Sequence, residues 1–271
     1  MENLERQIMS IKPNSIINGD CLEVMQDIAD KSIDCIICDL PYGITACKWD
    51  VVIPFDLLWE QYKRIIKPNG AIALFGSQPF TSALVMSNPK WFKYEWIWDK
   101  AQSGNIGLAK YQPLKVTENI SIFSKGSHWF YPLMAKGKLR VKGGCNKQNP
   151  IATGLKKSVA YLSDLYYPKN ILYYPNCSNK NERIHPTQKP VSLIEYLIKT
   201  YTQEGELILD NTAGSGTLAI AAINTNRNYI CIEKDEHYFE VMRNRIANHD
   251  PFAPIKTKKQ PKPIKGQMEL F

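Results

Sequence analysis

Glu206-Leu207-Ile208-Leu209-Asp210-Asn211-Thr212-Ala213-Gly214-Ser215-Gly216-Thr217 reads as an apolar strand, a turn with two glycines and the start of an apolar helix running from Leu218 to Ile223. Glycines at such a turn let the chain reverse tightly and bring backbone close to a nucleotide-like ligand. Twenty-three positions after Asp210, Glu233 ends a second strand, Tyr229-Ile230-Cys231-Ile232, where a carboxylate can take both hydroxyls of a ribose. Strand, glycine turn, helix, strand and acid make half of a Rossmann-like sheet. A Gly-x-Gly turn alone fits a dinucleotide enzyme equally well, so the other half of the chain must decide what the sheet holds.

That half carries Asp39-Leu40-Pro41-Tyr42 directly after Ile33-Asp34-Cys35-Ile36-Ile37-Cys38, a short apolar run of buried-strand character. Asp39 then stands at the carboxyl end of a strand, where open α/β sheets keep their ligands. Pro41 fixes its own φ and restricts Leu40, which holds the Leu40 carbonyl beside the Asp39 carboxylate. Two acceptors and the Tyr42 ring converge on one point, an arrangement suited to an exocyclic amino group on a flat heterocycle. Taken alone, the tetrapeptide is equally an ordinary strand exit with a solvated Asp.

Elsewhere the elements alternate as in an α/β protein. A helix is expected from about Cys21 to Ala29. A second opens at Pro54, with Leu57, Leu58, Tyr62, Ile65 and Ile66 on one face, and stops at Pro68-Asn69-Gly70. Ala71 to Phe75, Tyr94 to Trp98 and Asn119 to Phe123 read as strands, and a helix runs from Pro79 to about Met86. From Lys125 to Arg183 no period persists. Regularity resumes with Val191, Ile194, Leu197, Ile198 and Tyr201 on one helical face.

Charge is segregated along these 271 residues. Lys125 to Arg183 holds eleven basic residues against two acids, a balance of +9, and Pro251 to Phe271 carries +4, leaving −5 on the rest of a chain whose total is +8. Such clustering is the footprint of a polyanionic partner. The absence of an apolar run of membrane-spanning length and of a signal-peptide pattern at the N-terminus leads to an expected cytoplasmic location. Seven scattered cysteines fit reduced thiols. Cys35 and Cys38 form a Cys-x-x-Cys without a second pair, so buried strand side chains are expected and no metal is assigned.

Asp39-Leu40-Pro41-Tyr42 resembles the Asp-Pro-Pro-Tyr motif of amino-methylating DNA methyltransferases, and Ala213-Gly214-Ser215-Gly216-Thr217 resembles their S-adenosylmethionine loop. His185-Pro186-Thr187-Gln188-Lys189-Pro190 is similar to the segment that wraps the methionine end of the cofactor, and Asn18-Gly19-Asp20-Cys21 to an early Gly-Asp beside its adenine. Catalytic motif, basic insert, His-Pro-Thr-Gln-Lys-Pro and glycine loop follow in the order of the β class, over roughly Ser15 to Ala247. Three positions depart: Leu40 replaces a Pro, and Asn211-Thr212 replaces Pro-Phe. The resemblance implies a Rossmann-like sheet with helices on both faces and an irregular inserted target-recognition region. The segments are then 1–124 (catalytic half), 125–183 (insert), 184–249 (cofactor half) and 250–271 (basic tail).

It also implies the chemistry. Asp39 and the Leu40 carbonyl hold both hydrogens of an amine whose lone pair is delocalised into its ring, turning that lone pair toward a sulfonium methyl, while Tyr42 stacks on a base taken out of duplex DNA. Asp at the first motif position goes mainly with adenine N6, whereas cytosine N4 enzymes more often carry Ser. Cofactor contacts are expected from Asp20, Thr187, Lys189, Gly214, Gly216, Thr217 and Glu233. Lys189 is equally readable as a solvated lysine, Thr187 as a turn residue, and Ser215 and Thr217 as helix N-caps. Lys136, Lys138, Arg140, Lys142, Lys147, Lys156 and Lys157 are expected at DNA phosphates. The Pro- and Lys-rich tail ends in Gln267-Met268-Glu269-Leu270-Phe271, similar to peptides that dock on the bacterial sliding clamp, with Gln267, Leu270 and Phe271 as its anchors. Relatives include dimers, so a homodimer is a candidate assembly. Cytosine-N4 methylation, amino-methylation of RNA or protein, and nucleic-acid binding without catalysis are the alternatives.

Overall fold

Apolar runs such as Ile33–Cys38 and Asn228–Glu233 form stable strands only where both faces are covered, the condition met by parallel sheets flanked by helices. The computed structural model describes residues 11–43, 50–143, 159–176 and 188–251. Its strands are β1 (Ser15–Asn18), β2 (Ile33–Cys38), β3 (Ile66–Gly76), β4 (Phe92–Asp99), β5 (Thr117–Phe123), β6 (Ala135–Lys142), β7 (Tyr161–Tyr166), β8 (Ile171–Tyr173), β9 (Leu207–Asp210) and β10 (Asn228–Glu233). Its helices are α1 (Cys21–Val24), α2 (Phe55–Ile65), α3 (Phe80–Ser87), α4 (Val191–Tyr201), α5 (Thr217–Asn224) and α6 (Glu236–Ala247). The main sheet runs β1-β10-β9-β2-β3-β5-β4-β8. Strands β1, β10, β9, β2 and β3 are mutually parallel, β5 is antiparallel to both β3 and β4, and β8 is parallel to β4.

Side chains alternate across these strands. Ile36, Cys38, Ile72, Leu74, Ile230 and Ile232 pack on one face with Cys21 of α1, Leu58, Trp59, Tyr62 and Ile65 of α2, and Leu84 of α3. Cys35, Ile37, Ala71, Ala73 and Cys231 point the other way, where buried Leu193 and Leu197 of α4 and Ala219 and Ala222 of α5 cover the sheet. Trp96 of β4 meets Tyr196 of α4 edge-on and donates its indole N–H to Tyr201 Oη at 2.7 Å. From β9 the chain proceeds to β10 on one side, and from β2 to β3 on the other. The boundary between β9 and β2 is therefore a topological switch point, where such sheets open a crevice. Among the described residues no helix is long and apolar enough to cross a membrane.

Several elements differ from expectation. The helix after Asp20 lasts one turn, then tightens into a 3-10 turn at Met25–Asp27, because the Arg64 guanidinium takes the carbonyls of Met25 (2.6 Å) and Ile28 (2.7 Å). Leu57 is not on the buried face of α2: it is 46% exposed, and Trp59 takes its place in the core. Ile66 starts β3 instead of ending the helix. Pairing with β2 slips between Ile33/Ile66 and Cys35/Ala71, so Pro68-Asn69-Gly70 is a bulge inside the strand and not a break before it.

The described residues of the stretch from Lys125 to Arg183, read as irregular, contain three strands. β8 extends the main sheet, and β6 and β7 form a separate antiparallel pair. Leu139, Val141, Leu162 and Leu165 on that pair are all exposed, so no buried face imposes the alternation by which a strand is recognised. The chain divides into two compact units at Tyr131/Pro132 and Lys169/Asn170, with β6 and β7 in the smaller.

The placement of α2 yields a paired test. Leu58→Ala, at a fully buried position, is expected to cost about 2–5 kcal/mol in urea unfolding, and Leu57→Ala no more than about 0.5 kcal/mol. Equal losses at the two positions would contradict this orientation of the helix.

Candidate active site

β2 delivers Asp39 to the carboxyl edge of the sheet, and the turn that follows folds back on it. Tyr42 Oη donates to Asp39 Oδ1 at 2.7 Å, and Lys189 Nζ donates to Asp39 Oδ2 at 2.5 Å. The Asp39 carbonyl accepts from Thr212 Oγ1 at 3.1 Å. Leu40 is buried in the core, and the Tyr42 ring is backed by Phe80, 5.0 Å between centroids. Gly43 N donates to Asp50 Oδ1 at 2.8 Å.

Beside this turn, β9 leads into the glycine loop. Gly214 and Gly216 both have left-handed backbone, with φ of 51° and 75°. The Gly214 N–H donates to Glu233 Oε2 at 2.7 Å, and the Asp235 N–H donates to Glu233 Oε1 at 2.8 Å, which fixes the carboxylate plane at the end of β10. Gly216 faces backward: a Cβ there would lie 2.5 Å from Met242 Cγ of α6. It also occupies the N-cap position of α5, so neither Ser215 nor Thr217, the alternative N-caps, takes that place. Arg245 of α6 donates to the Ser215 carbonyl at 3.0 Å and to Thr217 Oγ1 at 3.1 Å, clamping the loop from behind. Asp20 caps α1 through Leu22 N at 2.9 Å and pairs with Lys234 at 2.9 Å, and chiefly that ammonium holds its carboxyl below the ordinary value.

One cavity of about 850 Å³ joins these parts. Asp39, Leu40, Pro41 and Tyr42 line it together with Asp20, Lys189, Gly214, Thr217 and Glu233, whereas Gly216 supports the loop from outside. Thr187 lies outside the described residues. Lys136, Lys138, Arg140 and Lys142 all lie on β6; the first three are exposed, while Lys142 stands 3.7 Å from the Tyr166 ring centre. Lys147, Lys156, Lys157, Gln267, Leu270 and Phe271 lie outside the described residues.

Lys189 is not a solvated lysine. It is 8% exposed, bridges Asp39 and Glu118 Oε2 (3.4 Å), and lies 5.2 Å from the Phe75 ring and 5.7 Å from the Trp98 ring. Burial works against its charge, but Asp39 and Glu118 outweigh it and hold the ammonium above its ordinary pKa. Burial pushes the Asp39 carboxyl up, and Lys189 only partly offsets this. Glu118, between Lys189 and Lys100 (2.9 Å), is held below its ordinary value although burial opposes it.

Asn211 and Thr212, where the resemblance departs from Pro-Phe, also have work here. Asn211 Oδ1 accepts from Tyr62 Oη at 2.6 Å and from the Cys38 thiol at 2.8 Å, and Thr212 reaches Asp39. Glu118, Asp50 and Arg245 are not legible in the sequence because none belongs to a local motif; each acts through a partner brought to it by the fold.

Residues 33–244 match the sequence profile of the N6/N4 DNA methylases. The chain belongs to that family. The family uses S-adenosylmethionine, and the chain is an S-adenosylmethionine-dependent DNA methyltransferase. It is 26% identical over 246 residues to the type II methyltransferase M.HpaI of Haemophilus parainfluenzae, a match spanning 85% of this chain and 73% of the relative. Its fold is similar to that of the M1.HpyAVI–SAM complex (TM-score 0.59, 23% identity, 86% of this chain and 98% of that one). It is also similar to the cytosine-N4-specific PvuII DNA methyltransferase (TM-score 0.64, 16% identity, 89% and 90%). The donor set suits the cofactor: a locked carboxylate at Glu233, a glycine turn beside it, and a cavity within the range of small-molecule sites.

Asp210 lends the site a measurable pH dependence. Burial, with Asp39 and Glu233 adding to it, pushes its carboxyl up to about 7. A raised pKa means the folded protein binds the proton more tightly, so the contribution to stability is fully present below about 4 and is lost as pH rises through about 7. Asp210→Asn should lose less melting temperature than wild type between pH 5 and pH 8. A steeper loss in the variant would reverse that assignment.

Proposed function

We propose that this enzyme transfers the methyl group of S-adenosylmethionine to the exocyclic N6 of an adenine flipped from duplex DNA. The observation that carries the reading is that Asp39 and Glu233, from the two halves of the sheet, line one cavity at its switch point. In this reading Glu233 would hold the ribose hydroxyls, and Asp20 and the Gly214 turn would hold the rest of the cofactor. Bound there, S-adenosylmethionine supplies an electrophilic sulfonium methyl.

The remaining work falls to the chain. Asp39 and the Leu40 carbonyl accept the two N–H bonds of the target amine, so that its lone pair turns toward the methyl donor. As the new N–C bond forms and the methyl's bond to sulfur breaks, positive charge would develop on nitrogen next to the Asp39 carboxylate, which would stabilise it and could accept the proton then shed. Tyr42, braced by Phe80 and tied through its hydroxyl to Asp39, offers its ring to the flipped base. Cytosine N4 is the second reading, since the same acceptors suit either amine; the Asp at position 39 favours adenine.

Labelled methyl transfer to duplexes in which only adenine or only cytosine can be methylated tests this. Label is expected in adenine, with Asp39→Ala reducing the rate by at least about 100-fold. Label confined to cytosine would leave the amine chemistry standing and remove the adenine assignment.

The basic residues of β6 are assigned to the DNA backbone. Among them Lys138 and Arg140 are the most available, since Lys136 faces Asp164 at 4.0 Å and Lys142 is held on Tyr166. Replacing Lys138 or Arg140 with Ala should weaken binding similarly on all sequences and reduce the slope of log affinity against log salt by about 1 each. An unchanged slope would remove these two from the phosphate contacts. The enzyme is accordingly read as a cytoplasmic one acting on duplex DNA.

A further inference from the structure

Four charges of alternating sign run along the wall of the cavity: Asp39, Lys189, Glu118 and Lys100. Lys189 Nζ is 2.5 Å from Asp39 Oδ2 and 3.4 Å from Glu118 Oε2, and Glu118 Oε1 takes Lys100 Nζ at 2.9 Å. The four come from the end of β2, the residues just before α4, the start of β5 and the residue after β4. Lys189 has almost no water left around it, and two carboxylates and the faces of Phe75 and Trp98 stand in for its hydration. Buried ion pairs contribute little net stability compared with apolar side chains, so the effect of this one lies mainly in geometry. Tyr42 grips one oxygen of Asp39 and Lys189 the other, so the carboxylate plane is set before a substrate arrives.

We propose that Lys189, braced by Glu118, is a positioning residue for methyl transfer that fixes the Asp39 carboxylate in the orientation receiving the target amine. This rests on the reading of Asp39 as acceptor of that amine, and it gives Lys189 a role other than direct cofactor contact. The titratable groups facing Asp39 are Tyr42 from its own turn, Lys189, Glu118 with Lys100 behind it, Asp210 from β9, and Asp50 across Tyr42. Lys189 is the one cation among the described residues in direct contact with it. Without that cation, burial and the like charge of Glu118 push the Asp39 carboxyl up with only the Tyr42 hydrogen bond left to oppose them.

The test is single-turnover methylation across pH, paired with calorimetric titration of S-adenosylmethionine. In Lys189→Met, kcat should fall about 100-fold and the acid limb of the profile should rise by roughly one to three pH units, with cofactor affinity unchanged and partial rescue by Lys189→Arg. In Glu118→Gln the acid limb should move the opposite way, downward, because a like charge is removed. Opposed displacements are not what a general loss of packing produces. If Lys189→Met does not fold, the direction in Glu118→Gln decides. An unmoved limb with weakened cofactor binding in Lys189→Met would overturn the proposal in favour of direct cofactor contact. Full activity of Asp39→Ala would instead defeat the reading on which it rests.

Discussion

The chemistry of this protein depends on the parallel pairing of β2 with β9, Cys35 to Ile208 and Ile36 to Leu209. Positions 39 and 212 are far apart in the chain, yet that register brings the Thr212 hydroxyl onto the Asp39 carbonyl and the Cys38 thiol onto Asn211. A slip of one residue would turn every side chain of β2 to the other face and aim Asp39 away from the glycine loop. The register is held by the apolar sets on both faces and sealed by the Tyr62 hydroxyl, which reaches Asn211 from α2. Asp39 and the glycine loop are thus held together by one ladder.

Placing Asp39, Asp210 and Glu233 around a single cavity concentrates carboxylates in a poorly hydrated space, and burial raises the pKa of each. The surrounding structure answers with donors: Lys189 for Asp39, backbone N–H groups of Gly214 and Asp235 for Glu233, and that of Thr212 for Asp210. The arrangement costs stability locally and is offset by the apolar core beneath it, as expected where a site and not a fold dictates residue type.

Much of this was legible in the sequence, for physical reasons. Ile33–Cys38 and Asn228–Glu233 are apolar enough to announce buried strands, and their terminal acids mark the ligand edge. The partners of those acids were not legible. Glu118 and Lys189 are ordinary charged residues until β5 and the start of α4 are folded side by side, and only three-dimensional proximity makes Lys189 a counter-ion. The pair β6–β7 escaped because its apolar residues are exposed and no face enforces alternation. Leu57 misled for the opposite reason: its helical spacing fits the apolar stripe, but Trp59 fills that volume.

Gly216 is constrained from behind by Met242, not from the cavity side. The second glycine of the loop therefore records how closely α6 approaches α5, a demand of packing that is indifferent to methyl transfer. A descendant that had lost Asp39 altogether would be under the same pressure to keep it. For chains of this architecture, the second glycine of the fingerprint diagnoses a shape and not a reaction.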